Sequence, residues 1–250
     1  KAEIRVPSIR GQLRWWFRAL GGTRQEEAAV FGSVHGDAHF KAPTASAIVV
    51  RVSDIKHGPP WNPFRVNPNS PSSYVWYFAS VSGKQPGSRD YGPRWNREAV
   101  LSPGTSFKLQ ILYRHPLPDA LNAAFKRSLS CFLTLGSFGL RATRGLGAFS
   151  CAEVPFDKSA LDGTGFALDV RNITGSYAEA IGSLVKGTRK ALDMKSNKPS
   201  PFGSSSPRQT SAVWFRPLAG NRLAIFEAPH DHVLEGRHMT VVPHGLTHLT

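Results

Sequence analysis

The sequence predicts an α+β chain, and three observations carry that reading. An N-terminal segment spaces its apolar residues at helical intervals, and two central segments are rich in β-branched and aromatic residues or alternate apolar with polar positions. The elements then follow the order helix, strands, helix, glycine-rich loop, strand, which is the order of a ferredoxin-like (RRM-like) domain whose first strand would precede residue 1.

Pro7-Ser8 supplies a capping signal, and Ile9, Leu13, Trp16, Phe17 and Leu20 form a stripe stopped by Gly21-Gly22, so the first helix is expected here. A second short helix is expected from about Gln25 to Phe31, ending at Gly32. Ala45 to Asp54 reads as a strand, and Tyr74 to Val81 as the next. A polar insert containing Gly87, Arg89, Asp90, Arg94 and Arg97 reads as an exposed loop. Ser106 to Arg114 sets Phe107, Leu109, Ile111 and Tyr113 against Lys108, Gln110, Leu112 and Arg114, a strand with one face inward. After Pro118 a helix is expected from Asp119 to Leu135, with Leu121, Phe125, Leu129, Phe132 and Leu133 inward. A glycine-rich loop follows, and then a strand from Ala148 to Val154.

Beyond it the expectations are a helix around Tyr177 to Met194, a disordered or tip-loop stretch at Asn197 to Ser211, and a hairpin. The hairpin joins Val213–Phe215 to Arg222–Phe226 around Ala219-Gly220-Asn221. The division that results is residues 1–155 as the RRM-like domain and 156–250 as a second, smaller or partial α+β module. The chain opens without Met at Lys1-Ala2-Glu3, and the start is read as truncated or processed.

Charge bounds the partners. Lys and Arg number 31 against 17 Asp and Glu, a formal net charge of +14, which suits a polyanion: nucleic acid first, an anionic membrane surface second. No apolar run approaches the ~20 residues a spanning helix needs. Cys131 and Cys151 lie at no metal-ligand spacing and fit a reducing cytoplasm, and no cofactor motif is present.

Two motifs concentrate the positive charge. On the first helix Arg10, Arg14 and Arg18 recur every four residues and form one row beside the buried stripe. A solvated helix face is the ordinary reading of such a row. Nothing acidic lies between Glu3 and Glu26 to offset it, and that favours a phosphate-facing surface. Trp15 lies off the stripe, where it can stack on a base or cover arginine stems. The second motif is the loop Gly139-Leu-Arg-Ala-Thr-Arg-Gly-Leu-Gly147, in which Gly139, Gly145 and Gly147 let the backbone approach a ligand while Arg141 and Arg144 offer charge-assisted donors. A helix-to-strand connector is the plainer alternative. It is neither a dinucleotide fingerprint nor a phosphate-binding P-loop, and with Lys126 and Arg127 upstream it favours sequence-independent phosphate contact.

The histidines invite other chemistry. His230, His232, His238, His244 and His248 offer no recognised metal set, so no metal site is expected. His35, Asp37 and His39 form a polar cluster that is most simply a surface loop, with His35 or His39 as general base of a metal-independent endoribonuclease in the rival reading.

Arg5-Val-Pro-Ser-Ile-Arg-Gly-Gln-Leu-Arg-Trp-Trp-Phe-Arg-Ala-Leu20, with Glu27-Ala-Ala-Val-Phe-Gly-Ser33, resembles the signature of the RAMP superfamily of CRISPR effector proteins, and within it the subunit-one family of the type III-B Cmr complex. Residues 139–147 resemble that superfamily's Gly-rich loop. The resemblance implies a non-catalytic, RNA-binding subunit in the cytoplasm. It would contact guide RNA near its 3′ side, or the matching target RNA, beside other effector subunits in antiviral defence. Residue by residue it places Arg10, Arg14 and Arg18 on the basic helix and Gly139, Arg141, Arg144, Gly145 and Gly147 on the loop. The expectation that follows is that these two cationic motifs converge on one ribose-phosphate strand.

Overall fold

The structure is a computed structural model that describes residues 2–34, 43–59, 70–76, 81–82, 93–94, 101–192, 202–205, 208–209, 211–229, 246 and 249. Helix α1 spans Val6–Ala19 and buries Ile9, Leu13, Trp16 and Phe17, the stripe the spacing predicts. It starts a little earlier than expected, because Arg5 is the N-cap and Pro7 sits inside the first turn, where a missing N–H costs nothing. Helix α2, Arg24–Phe31, is opened by a capping box in which the Glu26 amide donates to Thr23 Oγ1 at 3.2 Å and the Thr23 amide donates back to Glu26 Oε2 at 2.8 Å.

Strand β1 (Ile48–Lys56) is followed by the short helix α3 (Ser73–Trp76), the two-residue strands β2 (Val81–Ser82) and β3 (Pro93–Arg94), and strand β4 (Ser106–Tyr113). β1 and β4 pair antiparallel, and their inner face sets Ile48, Val50 and Val52 against Tyr113, Ile111 and Leu109. Helix α4, Asp119–Leu135, packs on α1 and buries Phe125, Cys131, Phe132 and Leu135, while Leu121, Leu129 and Leu133 are only partly covered. Burial pushes the Cys131 thiol up to about 11, so it behaves as a core apolar group.

A 3-10 turn at Lys158–Leu161 leads to β5 (Ala167–Asn172), then α5 (Tyr177–Ala191), the small hairpin β6 (Ser204–Ser205) and β7 (Arg208–Gln209), and the hairpin β8 (Val213–Leu218) to β9 (Arg222–Glu227). The last of these is the hairpin expected around Gly220. β5 joins it to make a three-stranded antiparallel sheet in the order β5-β9-β8. Both faces of this sheet are covered. Trp214, Leu218, Ala224 and Phe226 face the larger core with α1 and α4, whereas Val213, Phe215, Leu223 and Ile225 face a second core with α3 and α5.

Trp16 ties α1 to this sheet. Its ring lies 5.7 Å from Phe226 and stacks on Phe166 at 5.6 Å.

The fold is α+β as the sequence predicts, with four local departures. Ser73–Trp76 is a helical turn, not the start of a strand, and residues 77–80 lie outside those described. The turn begins where Tyr74 N–H donates to the Pro71 carbonyl, and it packs so closely on α5 that a Cβ at Gly182 would stand 1.9 Å from that same oxygen. Ala148 to Val154 contains one isolated bridge, Ser137 with Ala148, and no strand. Its Phe149 carbonyl accepts from the Arg216 guanidinium, which takes an acceptor that a ladder would need. Strand β5 is the element the sequence reading missed. Within 197–211, the described Phe202 and Ser211 are buried, against the expectation of a disordered or tip loop, and Met194 lies outside the described residues.

Truncating Phe226 to Ala, at the contact of α1 with the sheet, is expected to lower unfolding free energy by about 3–5 kcal/mol in urea denaturation. A loss under about 1 kcal/mol would contradict this packing.

Candidate nucleic-acid interface

Arg10, Arg14 and Arg18 do stand in one row on α1, and the row leans on α2. Arg10 Nη2 donates to the Phe31 carbonyl at 2.6 Å. Arg14 Nε donates to Glu27 Oε1 at 2.5 Å, and Arg18 Nη1 lies 3.5 Å from Glu27 Oε2. The acid that meets the row, Glu27, lies on α2 and opens the second motif, beyond the reach of the helical spacing that reveals the row. Its side chain is 5% exposed, while those of Arg14 and Arg18 remain 40% and 48% exposed. Three guanidiniums against one carboxylate leave a net +2 on this face (3 − 1), so the acid organises the row without neutralising it. Burial, and then the charges of Arg14 and Arg114, hold the Arg10 guanidinium below its ordinary value.

Trp15 is packed rather than free. Its ring is 5.0 Å from both Trp16 and Trp214 and 6.5 Å from Phe166, so it wedges α1 against the three-stranded sheet. Trp15 is half-buried, and its described ring contacts are to other rings of the chain.

The glycine loop is built differently from the expectation. Arg144 is 3% exposed. It donates to Tyr74 Oη at 2.8 Å, Ser211 Oγ at 2.9 Å, the Thr143 carbonyl at 3.1 Å and the Val213 carbonyl at 3.3 Å, and closely to the Phe202 carbonyl. A parallel bridge sets Arg144 beside Phe215, and the Phe215 amide donates to the Thr143 carbonyl at 3.2 Å. Desolvation drives its pKa down, and carbonyl dipoles and the Tyr74 ring at 5.5 Å compensate the charge.

Arg141 is half-buried at φ 62°, donates to the Tyr74 and Val75 carbonyls, and is lowered to about 10 chiefly by desolvation. Arg189 of α5 places a third guanidinium 5.5 Å from the Tyr74 ring.

The glycines divide as well. A Cβ on Gly147 would stand 1.8 Å from the Phe138 carbonyl oxygen, and one on Gly145 would stand 2.9 Å from Pro217 Cδ, so these two serve packing within the chain. Gly139 alone has open space around it. Arg127 likewise closes a turn, donating to the Ala160 and Asp162 carbonyls at 2.9 and 2.6 Å, and Lys126 is exposed.

The two motifs do not come together. α1 lies over the face of the three-stranded sheet that carries Trp214 and Phe226, whereas Arg144 lies against the opposite face with Val213 and Phe215. They share none of their described partners. His35, Asp37 and His39, and the C-terminal histidines from His230 onward, lie outside the described residues. No group of metal-binding side chains occurs among the described residues, and no described helix is long and apolar enough to cross a membrane.

The RAMP superfamily model matches residues 1–150, more than half of the chain. The chain belongs to that superfamily. Among curated proteins this RAMP chain is similar to the CRISPR system Cmr subunit Cmr1-1 of Pyrococcus furiosus, with 24% identity over 208 residues, covering 78% of the chain and 54% of the relative. It therefore spans about half the length of that relative. Among solved structures it is similar to the crystal structure of Cmr1 from Pyrococcus furiosus in its apo form, with TM-score 0.51, 20% identity, and coverage of 90% of this chain and 80% of that one. The fold is thus shared with that Cmr1 structure.

Replacing Arg144 with Ala strips five acceptors of a buried donor, and unfolding free energy is expected to fall by about 3 kcal/mol or more. Arg141→Ala is expected to cost less, since that side chain is only half-buried. Thermal unfolding of both variants checks the order, and equal losses would contradict it.

Proposed function

We propose that this RAMP chain is a non-catalytic, RNA-binding subunit of a type III-B CRISPR effector ribonucleoprotein in the cytoplasm. It holds guide RNA near its 3′ side, or the matching target RNA, in antiviral defence beside other effector subunits. The observation that carries the reading is the α1 row, in which one buried carboxylate fixes two of three guanidiniums and leaves the face at +2. Salt-bridged arginines that stay near half-exposed are pre-set to donate to phosphate oxygens, because little side-chain entropy remains to be lost. The similarity to Cmr1 supplies the setting.

Arg141, Gly139, Gly145 and Gly147 shape the loop in this proposal, and Arg144 anchors it from inside. Arg141, half-buried, ties the loop to the Tyr74 and Val75 carbonyls.

Glu27 provides the sharpest test. Glu27→Gln removes a negative charge from the row, so RNA affinity is expected to rise and the log K against log salt slope to steepen, while stability falls. Arg18→Gln, at the weaker contact, is expected to reduce the slope by about 0.7 with little loss of stability. Filter binding of single-stranded RNA across a salt series reads both. An unchanged slope in both variants would refute the arginine row as a phosphate surface. RNA recovered intact after incubation with the chain in EDTA is the expected companion result, and cleavage would establish the endoribonuclease instead.

A further inference from the structure

The outer face of the β1–β4 sheet carries the next cations beyond the α1 row. Because Val49 pairs with Leu112, Arg51 with Gln110 and Ser53 with Lys108, these six side chains share the face opposite Ile48 and Val50. Arg114 continues the same face two residues past Leu112, and its amide donates to the Ala47 carbonyl at 2.8 Å. Arg51, Lys108 and Arg114 are all exposed, and none of the three is in an ion pair among the described residues. The nearby carboxylate, Asp54, stands at the bulge at the far end, where Ser53 Oγ donates to it at 3.2 Å, and exposed Lys56 follows it.

The two surfaces meet at one corner. Arg10 reaches the last residue of α2 at the Phe31 carbonyl, the Ala47 amide donates to the Val30 carbonyl at 3.0 Å, and the Arg114 amide donates to the Ala47 carbonyl. The charge of Arg114 is close enough to be felt at Arg10.

We propose that Arg114, Arg51 and Lys108 extend the α1 arginine row across the outer face of the β1–β4 sheet as one track for the phosphates of single-stranded RNA. This rests on the reading of the α1 row given above and adds the path and its mode of recognition. Val49 and Leu112 are the apolar residues on the face, and among the described residues it carries no aromatic ring to stack a base. The track therefore engages backbone, with weak dependence on sequence. An RNA strand suits this face better than a protein partner, because Arg51, Lys108 and Arg114 put an excess of positive charge on it, whereas a protein interface core is depleted in charge and built on aromatic anchors.

The full chain carrying Arg51→Gln, Lys108→Gln and Arg114→Gln together is compared with Arg18→Gln and with the unaltered chain, using fluorescein-labelled oligouridylate and oligoadenylate over a salt series. The sheet variant is expected to flatten the slope by about 2, near 0.7 for each cation, by the same amount for both RNAs. A flattening seen only in Arg18→Gln overturns the sheet track while leaving the α1 row standing, and no flattening in either variant overturns both. Loss of co-purifying protein subunits with RNA binding intact would overturn it in favour of a protein-docking face. Because the three side chains are exposed, circular dichroism and Tm are expected to stay unchanged.

Discussion

A carboxylate that is 5% exposed needs partners, and the pairing of Glu27 with Arg14 and Arg18 fixes how α1 and α2 sit together. With α2 held there, the Phe31 carbonyl is in place to accept from Arg10, and the chain passes from the end of α2 into β1 beside it. The same rotation of α1 that turns its arginines toward α2 turns Trp16 onto Phe226 and Phe166 and places Trp15 against Trp214. One helix therefore has two committed sides, an aromatic side that joins it to the three-stranded sheet and a cationic side that a single acid keeps in order.

Positive charge in this chain does two different jobs. Arg144 and Arg216 are 3% and 2% exposed and bind backbone carbonyls inside the molecule. Arg216 Nε donates to the Thr134 carbonyl at 3.2 Å in the last turn of α4, where the helix dipole favours a cation, and burial lowers this guanidinium to about 10. Such residues add to the net +14 without adding to the surface a polyanion meets. The cations of α1 and of the outer β1–β4 face remain at least partly accessible. The glycine loop is an architectural joint by the same reasoning, since Gly145 and Gly147 permit close packing on Pro217 and Phe138 while Arg144 locks the loop to β8.

Much of the fold was legible in the residues. Helical spacing from Ile9 to Leu20 and from Leu121 to Leu133, alternation from Phe107 to Tyr113, and a Gly220-Asn221 turn each encode a local preference strong enough to read alone. What stayed hidden depends on partners distant in sequence. Tyr74 to Trp76 has strand-like composition and becomes a helical turn because α5 offers a glycine to receive it. β5, Ala-Leu-Asp-Val-Arg-Asn, mixes charge into its alternation and gains its definition from β9. The site was legible to the same depth. The α1 row could be counted, but its acid lies on another helix, and whether an arginine faces water or carbonyls is decided by tertiary packing, as Arg144 shows.

The claim on which this account turns is that RNA is met by the α1 face and not by the buried loop arginine. Phenylglyoxal footprinting of the folded chain, with and without bound RNA and read by mass spectrometry, tests it directly. The account predicts that RNA shields Arg14 and Arg18 from modification while Arg144 stays unreactive in both states. Shielding confined to Arg141 and Arg144, with Arg14 and Arg18 equally reactive with and without RNA, would contradict it.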